Sequence, residues 1–311
     1  MRVGIARGLY YYRYFPFWQA FFQGLGLKVV VSDPTTKQIL DFGQAAAVDG
    51  ICLPVKVFIG HVQNLIEKNI DLLFIPYIIS VEKAEYICPK FMGLPDIVAS
   101  SIPQLPPMLS PTIDGRRGSL RIMRTYLNLG LRFAPLPKVL RAYYDGIYQQ
   151  HEYEHNQIIK ECRSEDKLQI GILGHEYLIH DEFVSMGIKK RLEQAGCITV
   201  AVENLDGETL KANSSFLKKR MFWTSGKRIL GAANYFAARV DGIVSLMSFA
   251  CGTDSFTIDL VERYCRRSQI PHLLISLDEH TGQAGVVTRI DAFVDLLQRR
   301  KNRENHCSAH G

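Results

Sequence analysis

Short apolar runs of strand length alternate with stretches of helical spacing, and the alternation occurs twice with a helical interval between. Arg2–Ala6 reads as a strand turned by Gly8, and Tyr14, Trp18, Phe21, Phe22 and Leu25 then recur at helical spacing. Lys28–Val31 is the next strand, Lys37–Val48 and Val55–Glu67 read as helices, and Leu72–Ile75 is a strand stopped by Pro76. The pattern restarts with a strand at Leu168–Leu173, followed by a helix at Phe183–Ala195 and a strand at Ile198–Val202. It continues through helix Thr224–Arg239, strand Gly242–Leu246, helix Thr253–Arg267, strand His272–Ser276 and a closing helix at Ala284–Arg299. Parallel strands need a crossover, and a helix supplies it, so this order predicts parallel βαβ units. The expectation is an α/β chain of two Rossmann-like parallel-sheet domains, residues 1–110 and 166–300, around a helical insertion at 111–165. A disordered tail is expected at 301–311. Ser100–Pro111, rich in proline and serine, reads as a crossover or linker, and helices are expected at Gly118–Leu129 and Leu136–Lys160.

Composition limits the class of protein. With 47% hydrophobic and 22% charged residues the chain is an ordinary globular one. No run approaches the roughly 18 apolar residues of a membrane span, and no basic segment leads into a long apolar one, so the expectation is cytoplasmic. Seven cysteines without framework spacing point to reduced thiols rather than disulfides. The net charge of +6 gathers in Arg116–Arg124 and Gln298–Arg303. These read as solvated helix faces and a frayed tail, with a face for an acidic partner or for coenzyme phosphates as the alternative, and no basic stretch is interleaved with aromatics in the way that nucleic-acid binding would require.

Three cysteines stand where strands end. Cys88 precedes Pro89 in Y-I-C-P-K-F-M-G-L-P-D, Cys52 lies in G-I-C-L-P-V-K, and Cys251 lies in F-A-C-G-T-D-S. A proline after a cysteine fixes φ and removes one N–H, which suits a thiolate held on a stiff loop. Thiolates are the usual ligands of iron–sulfur clusters. The alternative is that each is a small buried hydrophobe, as most cysteines are. Their separations match no zinc or ferredoxin pattern. Cys162, Cys197 and Cys265 read as structural, and Cys307 lies in the tail.

Other motifs are weaker. His151-Glu152-Tyr153-Glu154-His155 matches the H-E-x-x-H zinc helix, but the run around it is polar on every side, so it lacks the buried face such a helix needs. Gly226-Lys227 is no phosphate loop, because Met221 and Arg228 stand where glycine and serine or threonine belong. His175-Glu176 and His180-Asp181-Glu182 follow a strand and are better site candidates, with Asp181 also placed to cap a helix. Asp278-Glu279-His280-Thr281-Gly282 follows the last strand and is either a site loop or a turn with a helix cap.

Taken together these stretches resemble the activase-associated relatives of the 2-hydroxyacyl-CoA dehydratase D component, the CoA-enzyme activase-related group. The resemblance rests on G-I-A-R-G-L-Y-Y-Y (Gly4–Tyr12), C-L-P-V-K (Cys52–Lys56) and S-V-E-K-A-E-Y-I-C-P-K-F-M-G-L-P-D (Ser80–Asp96). It also rests on G-I-L-G-H-E-Y-L-I-H-D-E (Gly171–Glu182), F-A-C-G-T-D-S-F (Phe249–Phe256) and D-E-H-T-G-Q-A-G (Asp278–Gly285). The resemblance implies a 4Fe–4S cluster held by Cys52, Cys88 and Cys251, with one iron position left to water, a thiol or substrate. It implies low-potential electrons from an ATP-dependent activase of the ASKHA type, and reductive or radical chemistry on an acyl-CoA-like substrate by an oxygen-sensitive lyase or reductase component. Glu279 and His280 are then the candidate catalytic groups, with His175 and Asp254 beside cluster or substrate. A related second subunit or a homodimer is a further implied partner. A non-catalytic electron-relay subunit that docks the activase, and a coenzyme A-binding module without a cluster, are the alternatives. Ala6, Ala250, Thr253 and Gln283 depart from residues frequent in the relatives.

Overall fold

The strands form where Val, Ile and Leu cluster, and every one of them is paired in parallel. The computed structural model describes residues 1–159, 167–215 and 221–308, with side chains to 303. Two compact units result: Met1–Asn156 with Met221–Ser225, and the remainder.

Unit 1 runs β1 (Arg2–Ile5), α1 (Tyr11–Gly24), β2 (Lys28–Val31), α2 (Lys37–Ala46), α3 (Leu53–Glu67), β3 (Leu72–Phe74), β4 (Tyr77–Ser80), α4 (Pro89–Met92), α5 (Leu94–Ser101), β5 (Met108–Leu109), β6 (Thr112–Asp114), α6 (Ser119–Gly130) and α7 (Leu136–Gln157). Its main sheet has the order β2-β1-β3-β5, and β4 pairs with β6 in a separate parallel ladder. The helix α1 is pinned by aromatic packing. Phe17, Phe21, Tyr126 and Tyr143 meet edge to face, and Trp18 donates from Nε1 to the Tyr126 hydroxyl at 3.0 Å inside the core. Burial pushes the Tyr126 phenol well above its ordinary range.

The second unit runs β7 (Gln169–Leu173), α8 (Glu176–Ile179), α9 (Ile188–Gln194), β8 (Ile198–Ala201), α10 (Gly207–Asn213), α11 (Thr224–Ala237), β9 (Gly242–Ser248), α12 (Gly252–Arg267), β10 (His272–Leu277) and α13 (Gln283–Ser308). The first two residues of α11 group with unit 1. The sheet order is β10-β9-β7-β8. In both main sheets the first strand has the second beside it at one edge, and the third and fourth extend the other way. Each sheet therefore has a switch point, between β1 and β3 and between β7 and β9. Ligands of parallel α/β sheets collect at the carboxyl ends of the strands flanking such a point.

The α/β class and the parallel sheets follow the expectation. Several details differ. Met108–Leu109, inside the expected crossover or linker, pairs with β3 as the fourth strand, because the prolines around it occupy an edge where no partner is needed. Residues 111–156 of the expected insertion group with unit 1. The helix expected at Phe183–Ala195 starts only at Ile188, after a turn in which Gly187 takes φ +67°. The closing helix continues past Arg299 to Ser308, so residues 301–308 of the expected tail are helical. Lys160 and Cys162 lie outside the described residues. Among the described residues no helix is long and apolar enough to cross a membrane.

Candidate functional site

At the unit 1 switch point the chain leaves β1 through Ala6-Arg7-Gly8-Leu9-Tyr10. Leu9 is buried at φ +52°, a left-handed conformation that costs a bulky L-residue energy and that folds keep where the local geometry is used. It borders an apolar cavity of about 20 Å³, walled also by Tyr10, Trp18, Phe58, Phe74 and Phe91. Beside it, the Arg7 backbone N–H donates to Ser32 Oγ at 2.7 Å and the guanidinium donates to the Ser32 carbonyl at 3.3 Å, tying the end of β1 to that of β2. His61, fully buried in the middle of α3, pairs its Nε2 with Thr35 Oγ1 at 2.9 Å. Its Nδ1 has no hydrogen-bond partner among the described residues. Burial, with a further push from Arg7, lowers the imidazole to about 3, so it is neutral in ordinary buffers.

Unit 2 carries more chemistry at its carboxyl edge. His175 follows β7 and Asp254 lies in the first turn of α12, after β9, so the two flank the switch point. His175 Nε2 and Asp254 Oδ1 are 2.7 Å apart in the interior, and the imidazole stacks on the ring of Tyr177 with centroids 4.7 Å apart. One turn on, His180 Nε2 pairs with Glu203 Oε1 at the end of β8. Asp181 Oδ1 accepts from the backbone of Phe183 and Val184, each at 3.1 Å, the capping role its position suggests.

Of the three cysteines expected at strand ends, only Cys251 closely follows a strand, β9; Cys52 lies in the joint between α2 and α3, and Cys88 lies in the loop between β4 and α4. All three nonetheless share one backbone position. Cys52 is the N-cap of α3, Cys88 of α4 and Cys251 of α12, the first and last with extended backbone and none with a side-chain capping bond. A proline follows in the first turn of α3 and of α4, where its missing N–H costs nothing. Cys52 and Cys251 are buried and Cys88 is half-buried; Cys251 Sγ lies 3.3 Å from Thr253 Oγ1. Neither Cys197 nor Cys265 occupies an N-cap. Cys197 precedes β8 and Cys265 sits inside α12, where burial raises both thiols, Cys265 to about 12. None of the five is disulfide-bonded. Ala250, next to Cys251, takes φ +61°, so both switch-point loops hold a non-glycine residue in left-handed conformation.

Glu279 and His280 occupy a turn organised from within. Asp278 Oδ1 accepts from the His280 N–H at 2.9 Å and from Thr281 Oγ1 at 2.7 Å, and these bonds hold its carboxyl below the usual range. Glu279 is half-buried and His280 is exposed. The H-E-x-x-H histidines lie exposed on α7, as the polar surroundings predict. Part of the basic run is paired within unit 1 while remaining exposed. Arg116 and Arg121 both reach the buried Asp114, at 2.8 and 3.5 Å.

Among the described residues, no group of three or more His, Cys, Asp or Glu side chains is gathered to hold a metal ion. The donor chemistry of the N-cap cysteines nonetheless suits a thiolate-bound group, and a proline in the first turn stiffens the backbone beside Cys52 and Cys88. Sequence reasoning reached Cys52, Cys88, Cys251, His175 and Asp254, but missed His61 and Glu203. A histidine inside the apolar run V-K-V-F-I-G-H-V was the available signal for the first. Nothing local marks Glu203.

The family model for the CoA enzyme activase uncharacterised domain matches residues 2–205, a span that includes Cys52, Cys88 and His175. No curated protein matches the chain. The family match agrees with the CoA-enzyme activase kinship drawn from the motifs.

Proposed function

Because this chain belongs to the CoA enzyme activase uncharacterised domain family, we propose that it acts in a CoA-enzyme activation system as an iron–sulfur protein. It takes low-potential electrons from an ATP-dependent activase for reductive or radical chemistry on an acyl-CoA-like substrate. The shared strand order of the two main sheets supports reading both units as Rossmann-like halves.

The observation that carries this reading is positional. Of the five cysteines whose side chains are described, Cys52, Cys88 and Cys251 each N-cap a helix, and Cys197 and Cys265 do not. Cys52, Cys88 and Cys251 would supply the thiolates. A cluster bound there would supply one-electron transfer at low potential and a Lewis-acidic iron for a carbonyl oxygen. The cysteines' own contribution is fixed placement and partial exclusion of water; Cys52 and Cys251 are each 7% exposed. The left-handed Leu9 and Ala250 hold the loops at the strand ends in shapes they would not choose when free.

The test is anaerobic purification followed by iron and sulfide analysis and a visible spectrum. About four irons per chain, lost in Cys88→Ser and kept in Cys265→Ser, is the expected result. A colourless protein without iron, after anaerobic expression with iron supplied, would overturn it. Turnover of a 2-hydroxyacyl-CoA with an activase and ATP separates a catalytic role from that of an electron relay.

A further inference from the structure

We propose that His175 and Asp254 form the proton-donating pair of unit 2, with His175 giving a proton to a ligand oxygen and Asp254 positioning it. The inference rests on the acyl-CoA reading above and names a residue role within it. Asp254 is 4% exposed, and Oδ1 is engaged by His175 Nε2 at 2.7 Å. Its other oxygen, Oδ2, is buried and has no hydrogen-bond partner among the described residues. A buried carboxylate oxygen without a donor is costly, and native folds rarely leave one so unless a water, an ion or a ligand completes it. The oxygen lies in the first turn of α12, a 16-residue helix that Cys251 N-caps. A hydroxyl on the ligand is the neutral donor that fits an acceptor of this kind.

The groups around His175 favour a held proton. Burial alone lowers the imidazole, but the Asp254 charge, its hydrogen bond and the neighbouring Glu176 outweigh it and leave His175 raised. Glu176 in turn has Arg228 at 3.8 Å, and the Tyr177 ring covers one face of the imidazole. With Nε2–H turned to Asp254, Nδ1–H is the proton available for transfer. At an acyl group already reduced by one electron from the activase, the C–O bond of the hydroxyl breaks with its pair on oxygen. The Nδ1 proton completes water, the unpaired electron stays on the acyl fragment, and the imidazole is left neutral, still bonded to Asp254. Glu279 and His280, in their self-held turn, are not needed for this step.

Two measurements on the full chain test the pair. Imidazole nitrogen NMR across pH should find His175 protonated above the ordinary histidine range, and back within or below that range in Asp254→Asn. An ordinary value in the wild type overturns the donor role. Calorimetry should find 2-hydroxybutyryl-coenzyme A bound about 10- to 100-fold more tightly than butyryl-coenzyme A. That preference should be lost in Asp254→Asn and kept in Asp259→Asn, an exposed carboxylate on the same helix. Equal binding of the two thioesters by the wild type overturns this inference while the acyl-CoA reading stands. Binding of neither overturns both.

Discussion

Gly43 and Gly60 bring α2 and α3 together backbone to backbone. A Cβ on Gly43 would lie 1.8 Å from the Lys56 carbonyl oxygen, and one on Gly60 would lie 1.8 Å from that of Ile39. Both overlaps are with main-chain atoms, which cannot swing aside. The contact sets the position of α3, and with it Cys52 at its N-cap. Alanine is the better helix former by about 1 kcal/mol, so propensity alone favours Gly43→Ala and Gly60→Ala. Steric overlap decides the other way. Each change should destabilise by about 3 kcal/mol or more, read in urea unfolding. Gly50→Ala, with nothing within 4 Å of its Cβ position, should be neutral within about 0.5 kcal/mol or mildly stabilising.

Strand and helix alternation was legible because each element carries its own periodicity. The strands β7, β9 and β10 announce themselves by runs of Ile, Val and Leu, and Cys52, Cys88 and Cys251 by the prolines or glycine beside them. What stayed hidden depends on partners far along the chain. Met108–Leu109 is too short to have a period and becomes a strand only because β3 is next to it. Glu203 matters through His180, and Asp254 through His175, pairings that no spacing rule encodes. The left-handed Leu9 and Ala250 were equally invisible, since neither residue type favours that conformation.

His61 predicts acid sensitivity. Its folded-state value is lowered from 6.5 to about 3, so between these pH values the unfolded chain binds the proton and the folded one does not. Stability from this residue is therefore whole above about pH 6.5 and falls as the pH drops toward 3. Between pH 7.5 and 4.5 the loss should be about 3 kcal/mol. Urea unfolding at the two pH values measures it. In His61→Gln the component should vanish, leaving only the slope contributed by other groups. A wild type and variant with the same pH slope would show that His61 is not buried neutral.

Thiol reactivity should separate the cysteines. Cys88 is half-buried, whereas Cys52, Cys197, Cys251 and Cys265 are buried, and burial raises Cys265 to about 12. Only thiolate reacts, so exposure and charge act in the same direction. Brief iodoacetamide treatment of iron-free native protein, followed by peptide mass spectrometry, should label Cys88 first and Cys265 last among these five. Labelling of Cys265 ahead of Cys88 would contradict the packing of α12.

Ala250 provides a test of strain beside Cys251. At φ +61° an L-residue with a Cβ is disfavoured by about 1–2 kcal/mol, a penalty glycine escapes. Glycine also gives the unfolded chain more freedom, worth about 0.5–1 kcal/mol in the opposite sense. The first effect is the larger, so Ala250→Gly should stabilise the protein by about 0.5–1 kcal/mol, seen as a small rise in the urea midpoint without a change in slope. Ala250→Val adds β-branching to the same backbone and should destabilise by about 2 kcal/mol or more. If the loop is kept strained to hold the Cys251 sulfur, the glycine variant gains stability while its Cys251 becomes easier to alkylate. A variant that is more stable with Cys251 equally protected would mean that the strain plays no part in placing the thiol.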